Sequence, residues 1–212
     1  MNDHSFIFNK DRQEIVVKKN KPKYKQIIDA AVEVIAENGY HSSQVSKIAK
    51  KAGVADGTIY LYFKNKEDIL VSLFQEKMGQ FIERIQEETT SRQSAEEKLL
   101  KLIETHFEQL AADHHLAIVT QLELRQSNSE LRQQINEVLK GYLNVIDEIV
   151  QEGVEEGLFR DNLDRRLVRQ MIFGTMDETV TNWVMKEQRY NIVDQAKEVH
   201  SLFIHGLAHS KN

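Results

Sequence analysis

Basic side chains near the start of the chain are the first residues whose types could do chemistry. Five lysines fall within eight residues: Lys18, Lys19, Lys21, Lys23 and Lys25. Such a cluster can contact phosphates or a minor groove beside a DNA-binding element, as homeodomain arms do, or it can be a solvated terminus. The sequence leaves both alternatives open for this arm, residues 1–21.

Charge is divided unevenly along the chain. Residues 1–66 contain 12 Lys and Arg against 7 Asp and Glu, a net charge of +5, whereas the remaining residues carry −10 and the whole chain −5. The overall charge argues against nucleic acid, but this asymmetry indicates a basic binding module joined to an acidic body.

The elements that would position these charges lie between Gln44 and Lys66. The apolar residues of a first short helix recur at three- and four-residue spacing: Val45, Ile48, Ala49 and Ala52. Gly53 can end that helix, because glycine takes the left-handed cap conformation without strain. A second short helix is predicted from residue 56 or 57 to about Phe63. The pattern predicts a helix-turn-helix, whose second helix enters the DNA major groove.

Helical periods continue through the rest of the chain. Pro22 is suited to begin a helix that ends at Asn38-Gly39, and Ser42 or Ser43 is expected to cap the next one. A long helix is predicted to open at residues 66–68, and Ser94 to cap its successor. The last two helices are predicted at about 163–186 and 192–207. Since no segment alternates with period two, we predict an all-α protein of about nine helices.

Composition excludes several kinds of site. The chain of 212 residues has no cysteine, so disulfides, thiolate metal sites and thiol nucleophiles are excluded. No apolar run approaches the roughly 18 residues that span a bilayer. The N-terminus lacks the apolar core of a signal peptide, which predicts a cytoplasmic protein with no membrane partner.

Enzyme motifs are absent: the sequence has no P-loop, nucleophile elbow, zinc-protease or dinucleotide-binding pattern. Three polar pairs remain as candidates: His205 with His209, His114 with His115, and Asp177 with Glu178. We interpret them as an exposed helix face, a loop pair, and a pocket edge or interface. The sequence therefore predicts neither an enzyme nor a metal site.

Three runs of residues together resemble the N-terminal domain of the TetR family of repressors: Ile27–Tyr40, Val45–Val54 and Gly57–Leu70. The resemblance implies a helix-turn-helix DNA-binding domain over residues 22–66. It implies an effector-binding and dimerisation domain over residues 67–212. Many relatives carry Ser or Thr where this chain has Ala55, so Asp56 is expected to cap the second helix of the motif instead.

The resemblance also assigns roles to individual residues. Four positions would face bases in the major groove: Ala55, Asp56, Gly57 and Leu61. A second set would contact phosphates, which fix register without reading sequence: Lys23, Ser43, Ser46, Lys47, Thr58, Tyr60, Tyr62, Lys64 and Lys66.

The second half resembles, within that family, the fatty-acid-degradation regulators of Gram-positive bacteria, over Leu116–Asn128 and Arg169–Val184. This resemblance implies no cofactor but an effector, long-chain acyl-CoA, with its tail inside the bundle and its phosphates outside. The candidate lining is Met78, Phe81, Phe107, Leu122, Leu143, Ile146, Met176 and Trp183. Arg125 and Arg132 would hold the phosphates, or else they pair on the surface with Glu123, Glu130 or Glu137.

Four base-facing residues are too few for specific affinity, so two heads on paired half-sites are expected. The resemblance places the homodimer interface on the last two helices, whose apolar faces otherwise pack inside one subunit. We therefore predict a homodimeric repressor that long-chain acyl-CoA releases from double-stranded operator DNA of fatty-acid degradation genes, by stabilising a conformer with the wrong head spacing. The alternatives are a TetR-type repressor for another hydrophobic small molecule, such as a drug or metabolite, and a helical module that binds a membrane or partner through the basic arm.

Overall fold

The computed structural model of the protein describes residues 22–92, 94–123 and 128–207. These residues form nine α-helices and no β-strand, which confirms the predicted fold class. They divide into two compact units, the first ending at Leu73 and the second beginning at Phe74. The division falls later than Lys66 because Ile69 and Leu70, in the first turns of a long helix, belong to the first unit and are fully buried.

The first unit contains three helices and the start of a fourth: α1 Pro22–Asn38, α2 Val45–Lys51, α3 Asp56–Ile59, and α4, which runs over Lys66–Thr90. Gly53 has φ of +67°, and the amide of Val54 donates to the carbonyl of Ala49. The predicted glycine stop after α2 is therefore confirmed, because only this left-handed residue lets the chain reverse and satisfy the last carbonyls of the helix.

Three details of the helix-turn-helix differ from the sequence prediction. Gln44 precedes α2 without a side-chain cap, so neither Ser42 nor Ser43 has the expected capping role. Ala55 precedes α3 and makes no side-chain capping bond, and Asp56 is already the first helical residue, so the predicted Asp56 cap is also wrong. The α-helix itself ends at Ile59, and residues 60–63 continue as a tight turn through bonds such as Leu61 N to Thr58 O.

The second unit contains the remainder of α4 and five further helices: α5 Ala95–Ala112, α6 His114–Ile118, α7 Ser129–Glu155, α8 Arg165–Met185 and α9 Ala196–Leu207. A π-helical turn, Val119–Glu123, follows α6, and a 3-10 turn, Ile192–Gln195, precedes α9. Helix α5 is central, because it contacts α6, α7, α8 and α9.

Local signals set the ends of these helices. Ser94 accepts a hydrogen bond from the amide of Glu97, which confirms the predicted cap of α5. Asn128 and Asp164 cap α7 and α8 in the same way. At the end of α7, a Cβ on Gly153 would lie 2.2 Å from the ring of Phe159. Only glycine therefore permits this buried ring to pack against the helix backbone.

Candidate functional site

The surface formed by α3 and the turn after it carries large side chains that the first unit does not bury. Tyr60 is 59% exposed and Leu61 68% exposed, and Ala55, Asp56 and Gly57 are exposed as well. A Cβ on Gly57 would meet open space, so packing within the protein does not require glycine there. The four positions assigned to bases thus share one accessible surface.

Two buried residues fix this surface from below. Ile59 and Phe63, which are four positions apart, are 0% and 2% exposed. The ring of Phe63 stacks on Tyr24 with centroids 5.2 Å apart, and half-buried Tyr62 lies 6.4 Å from the same Tyr24 ring. Because α3 has only one turn, these contacts hold it rather than its own backbone bonds.

Two predicted phosphate contacts have structural roles instead. Ser43 is 1% exposed, and its hydroxyl donates to the carbonyl oxygens of Val34 and Gly39. Its predicted phosphate contact is wrong, because the side chain ties the α1–α2 turn to α1. The ammonium of Lys66 donates to the carbonyls of Tyr40 and His41 and lies 4.5 Å from the Tyr40 ring centroid. We therefore interpret Lys66 as a residue that stabilises the α1–α2 turn and not as a phosphate contact.

The other residues predicted to contact phosphates lie at or near the surface of the first unit. Lys23, Ser46, Lys47 and Lys64 are exposed, and Thr58 is half-buried. The ammonium of Lys47 donates to Asn38 Oδ1 at 3.1 Å, an exposed bond that a phosphate can replace. These side chains are therefore accessible, and their phosphate contacts stay predictions.

Burial also perturbs one group of this unit. Desolvation, assisted by the carboxylate of Glu67, raises the pKa of Tyr40 to about 12. Tyr40 contacts Lys66 through its ring and its backbone carbonyl.

A cavity of about 380 Å³ lies inside the second unit, within the usual range of ligand sites. Its walls are largely apolar, and α4, α5, α7 and α8 supply these apolar residues: Phe74, Met78, Phe81, Leu110, Ile135, Leu139 and Phe173. The polar lining residues are His106, Thr120, Gln121, Arg132, Asn136, Tyr142 and Asp177. Arg132 and Asn136 are exposed, so they mark the side at which the cavity reaches solvent.

The predicted ligand residues fall into three groups. Met78, Phe81 and Arg132 line the cavity. Phe107, Ile146, Met176 and Trp183 are buried in the core without lining it, while Leu143 is half-buried and Leu122 is 40% exposed. Trp183 donates its ring N–H to the carbonyl of Tyr190, which gives it a structural role. Arg125 lies outside the described residues.

A buried hydrogen-bonded pair lies in the wall of the cavity. His106 Nδ1 on α5 is 2.9 Å from the Tyr142 hydroxyl on α7, and both side chains are buried. Desolvation lowers the pKa of His106 to about 4, so the imidazole is neutral at physiological pH. Burial, with a smaller contribution from the Asp177 carboxylate, raises the pKa of Tyr142 above its ordinary value.

A second polar contact joins the π-helical turn to α8. The amide nitrogen of Gln121 donates to Asp177 Oδ1 and to Thr181 Oγ1, each at 2.9 Å. The π-helical turn directs Thr120 and Gln121 at the cavity, in keeping with the frequent occurrence of such turns at functional sites. Asp177 thus lies at a pocket edge, one of the two roles its sequence position suggested.

Most of the polar lining was missed at the sequence level. His106 and Tyr142 are polar residues on otherwise apolar helix faces, and that pattern was the available signal. Nothing in the sequence distinguishes the apolar residues that border a cavity from those that fill the core, because the difference depends on how four helices pack.

The last two helices bury one face and expose part of another. Ile172, Val180 and Phe203 are buried within the unit. The exposed apolar side chains on α8 and α9 are Leu167, Met171, Met185 and Leu202. The buried residues fit packing inside one subunit, and the exposed apolar residues fit a homodimer interface, so both interpretations stay open.

The polar pairs, so far as the structure describes them, belong to no metal-binding group. In the described residues, no group of three or more His, Cys, Asp or Glu side chains is placed to hold a metal ion. His205 Nδ1 bonds within its own helix to the Ser201 carbonyl at 2.7 Å, and His209 lies outside the described residues. Among the helices of the same residues, none is long and apolar enough to cross a membrane.

The two units match two protein families. Residues 27–73 match the family described as bacterial regulatory proteins, tetR family. Residues 74–206 match the family described as YsiA-like protein, C-terminal region. The two matches meet where the structural units meet, after Leu73.

Three known proteins or structures are similar to this chain over nearly their whole length. The fatty acid metabolism regulator protein of Bacillus subtilis (strain 168) is 66% identical over 195 residues, 92% of this chain and 100% of that protein. The transcriptional regulator FadR from Bacillus subtilis, solved in complex with stearoyl-CoA, is 67% identical with a TM-score of 0.85, covering 87% of this chain and 99% of that one. The fatty acid degradation regulator FadR from Bacillus halodurans is 66% identical with a TM-score of 0.84, over the same shares.

Proposed function

Because the chain belongs to the TetR family of bacterial regulatory proteins, we propose that it is a transcriptional repressor of fatty-acid degradation genes that long-chain acyl-CoA releases from operator DNA. It is a regulator and not an enzyme. Since its target is chromosomal DNA, we place it in the cytoplasm.

The observation that carries the effector assignment is the cavity of the second unit. Its apolar walls suit an acyl chain, and Arg132 and Asn136 stand where the cavity reaches solvent. A relative 67% identical to this chain was solved with stearoyl-CoA. A guanidinium at the rim can hold phosphate oxygens with two parallel hydrogen bonds, so the nucleotide part of the ligand would lie there.

The first unit supports the DNA-binding half of the proposal. Its exposed α3 surface presents Leu61 and the small residues Ala55 and Gly57 for close approach to base edges, with Tyr60 beside them. Side chains this few give specific affinity only when two copies bind neighbouring half-sites. We therefore propose a homodimer, and the exposed apolar residues of α8 and α9 are its candidate contact surface.

Ligand binding must act through two conformations of the dimer. Acyl-CoA can release operator DNA only if it binds more tightly to a conformer that binds DNA poorly. By reciprocity, operator DNA would weaken acyl-CoA binding by the same factor.

The proposal is tested by comparing ligands that differ in the nucleotide part. Arg132→Ala is expected to weaken stearoyl-CoA binding about tenfold or more, since it removes a charged hydrogen-bond donor, and to leave stearate binding nearly unchanged. The double variant Arg125→Ala with Arg132→Ala is expected to show a larger difference. Isothermal titration calorimetry measures the affinities, and mobility-shift titration with promoter DNA measures release.

Arg165→Ala is the matched control, because Arg165 is an exposed arginine outside the cavity lining. Equal losses for stearoyl-CoA and stearate would remove the phosphate-binding role of Arg132. If native mass spectrometry of the purified dimer instead found a ligand without an acyl thioester, the effector would be another hydrophobic small molecule.

A further inference from the structure

The His106–Tyr142 pair has a hydrogen-bonding pattern that is incomplete within the protein. Its two atoms, Nδ1 and the hydroxyl oxygen, are 2.9 Å apart, and the other ring nitrogen of His106, Nε2, is buried with no hydrogen-bond partner. The rings of Phe81 and Phe173 lie 5.7 and 5.8 Å from the Tyr142 ring, so the pair is set in apolar surroundings.

The unpartnered nitrogen indicates which tautomer His106 adopts. A neutral imidazole carries one N–H, and an N–H group buried without an acceptor is rarer in proteins than an unpaired acceptor. The proton therefore belongs on Nδ1, which then donates to the Tyr142 oxygen. Tyr142 accepts this bond and keeps its own O–H for a different acceptor.

Two other polar groups at the cavity, half-buried Thr120 and buried Gln121, already use their donors. The hydroxyl of Thr120 donates to the carbonyl of Leu116 at 2.9 Å, and the amide of Gln121 donates to Asp177 and Thr181. Within the described part of the chain, the Tyr142 O–H is thus the buried lining donor that the protein leaves available. An occupant made only of methylene groups would leave this donor unpaired in an apolar site, which is unfavourable.

We propose that the Tyr142 hydroxyl donates a hydrogen bond to the thioester carbonyl oxygen of the bound acyl group, with His106 as its positioning residue. Tyr142 is then a specificity-determining residue, because it distinguishes an acyl thioester from an equally apolar alkyl chain. This inference rests on the proposed function, since it assumes that the cavity holds an acyl-CoA.

The test compares stearoyl-CoA with its thioether analogue S-octadecyl-CoA, which lacks the carbonyl oxygen. The wild-type dimer is expected to bind the thioether about three- to tenfold more weakly, the usual worth of one neutral hydrogen bond. Tyr142→Phe is expected to bind both ligands with nearly equal affinity. Thr120→Val removes a cavity hydroxyl that is already bonded to the backbone. This variant is expected to keep the wild-type ratio of stearoyl-CoA affinity to S-octadecyl-CoA affinity.

The proposal would be overturned if the ratio of stearoyl-CoA affinity to S-octadecyl-CoA affinity were the same in Tyr142→Phe as in wild type. A hydroxystearoyl-CoA series distinguishes the carbonyl from an oxygen along the chain. Tighter binding of one hydroxylated isomer by wild type but not by Tyr142→Phe, with no loss for the thioether, would assign the donor to a chain oxygen and overturn the carbonyl assignment.

A measurement on the wild-type protein covers the case in which Tyr142→Phe does not fold. The infrared band of 1-13C-stearoyl-CoA is expected to stay at a hydrogen-bonded frequency when the ligand binds. A shift to the frequency seen in hydrocarbon solvent would overturn the proposal. If stearoyl-CoA neither binds the wild-type dimer nor releases promoter DNA, the proposed function itself fails, an outcome separate from these.

Discussion

The α3 surface and the cavity place their polar groups in opposite ways. On the α3 surface, Tyr60 and its neighbours project into solvent, and buried Ile59 and Phe63 hold the backbone beneath them. In the cavity, His106 and Tyr142 are themselves buried and bond to each other. If the proposed contacts are right, DNA recognition and packing involve separate residues in the first unit, whereas ligand recognition and packing involve the same residues in the second.

This difference determines what substitution can do. An exposed side chain makes few contacts in the free protein, so its loss changes binding with little effect on stability. A buried polar residue contributes to both, because removing one partner leaves the other unsatisfied. We therefore expect stability and binding to vary independently on the α3 surface and together in the cavity.

The largest expected effect is the response of the second unit to acid. Folded His106 has its pKa lowered by burial to about 4, against an ordinary value of 6.5. As pH falls from about 6.5 to about 4, the unfolded chain takes up a proton that the folded chain does not. The free energy of unfolding therefore decreases across this window, by about 3 kcal/mol, and the loss levels off below the folded pKa.

Urea denaturation at several pH values measures how the free energy of unfolding depends on pH. The variant His106→Asn isolates the contribution of His106, because asparagine keeps a hydrogen-bond donor but does not titrate. The variant is expected to lose less stability than wild type between pH 6.5 and 4. If the free energy of unfolding fell equally with pH in both proteins, His106 would be protonated or solvated in the folded state. The cavity would then not differ from the α3 surface in the way described above.

The next largest effect is expected at Tyr60. Tyr60→Ala should lower operator affinity about tenfold or more, since truncating an aromatic contact at an interface commonly costs over 1 kcal/mol. Its melting temperature and acyl-CoA affinity should match wild type, because Tyr60 is 59% exposed in the first unit. Mobility-shift titration and calorimetry give these values.

Tyr60→Phe separates the contribution of the hydroxyl from that of the ring. Wild-type operator affinity in Tyr60→Ala would show that the α3 surface is not the DNA interface. A lower melting temperature in Tyr60→Ala would instead show that recognition and packing are not separated there.

The fold and the α3 surface followed from local sequence. Helix periods, Gly53 and the cap at Ser94 act through residues a few positions apart, so the sequence displays them directly. The buried pair Ile59 and Phe63 likewise lies only four positions apart, across α3 and the turn that follows it. The long motif then identified which exposed residues lie beside them.

The cavity could not be predicted in the same detail. Met78 and Phe81 line it while Phe107, on an equally apolar helix face, fills the core. Whether an apolar residue lines the cavity or fills the core depends on the packing of four helices that are distant in sequence. The bond between His106 and Tyr142 spans 36 positions, and no local pattern encodes a contact of that kind.

Ser43 and Ser46 provide the smallest predicted effect and the most closely matched pair. Both were assigned to phosphates, yet Ser43 is buried with its hydroxyl bonded to Val34 and Gly39 carbonyls, whereas Ser46 is exposed. Ser43→Ala is expected to lower the free energy of unfolding by about 1 kcal/mol, through the lost buried hydrogen bonds, with operator affinity of the folded protein unchanged. Ser46→Ala is expected to leave stability within about 0.5 kcal/mol and to weaken operator binding a few-fold.

Thermal denaturation and mobility-shift titration of both variants decide between these roles. If Ser43→Ala lowered operator affinity as Ser46→Ala does while keeping wild-type stability, burial would not separate packing from recognition even within three residues.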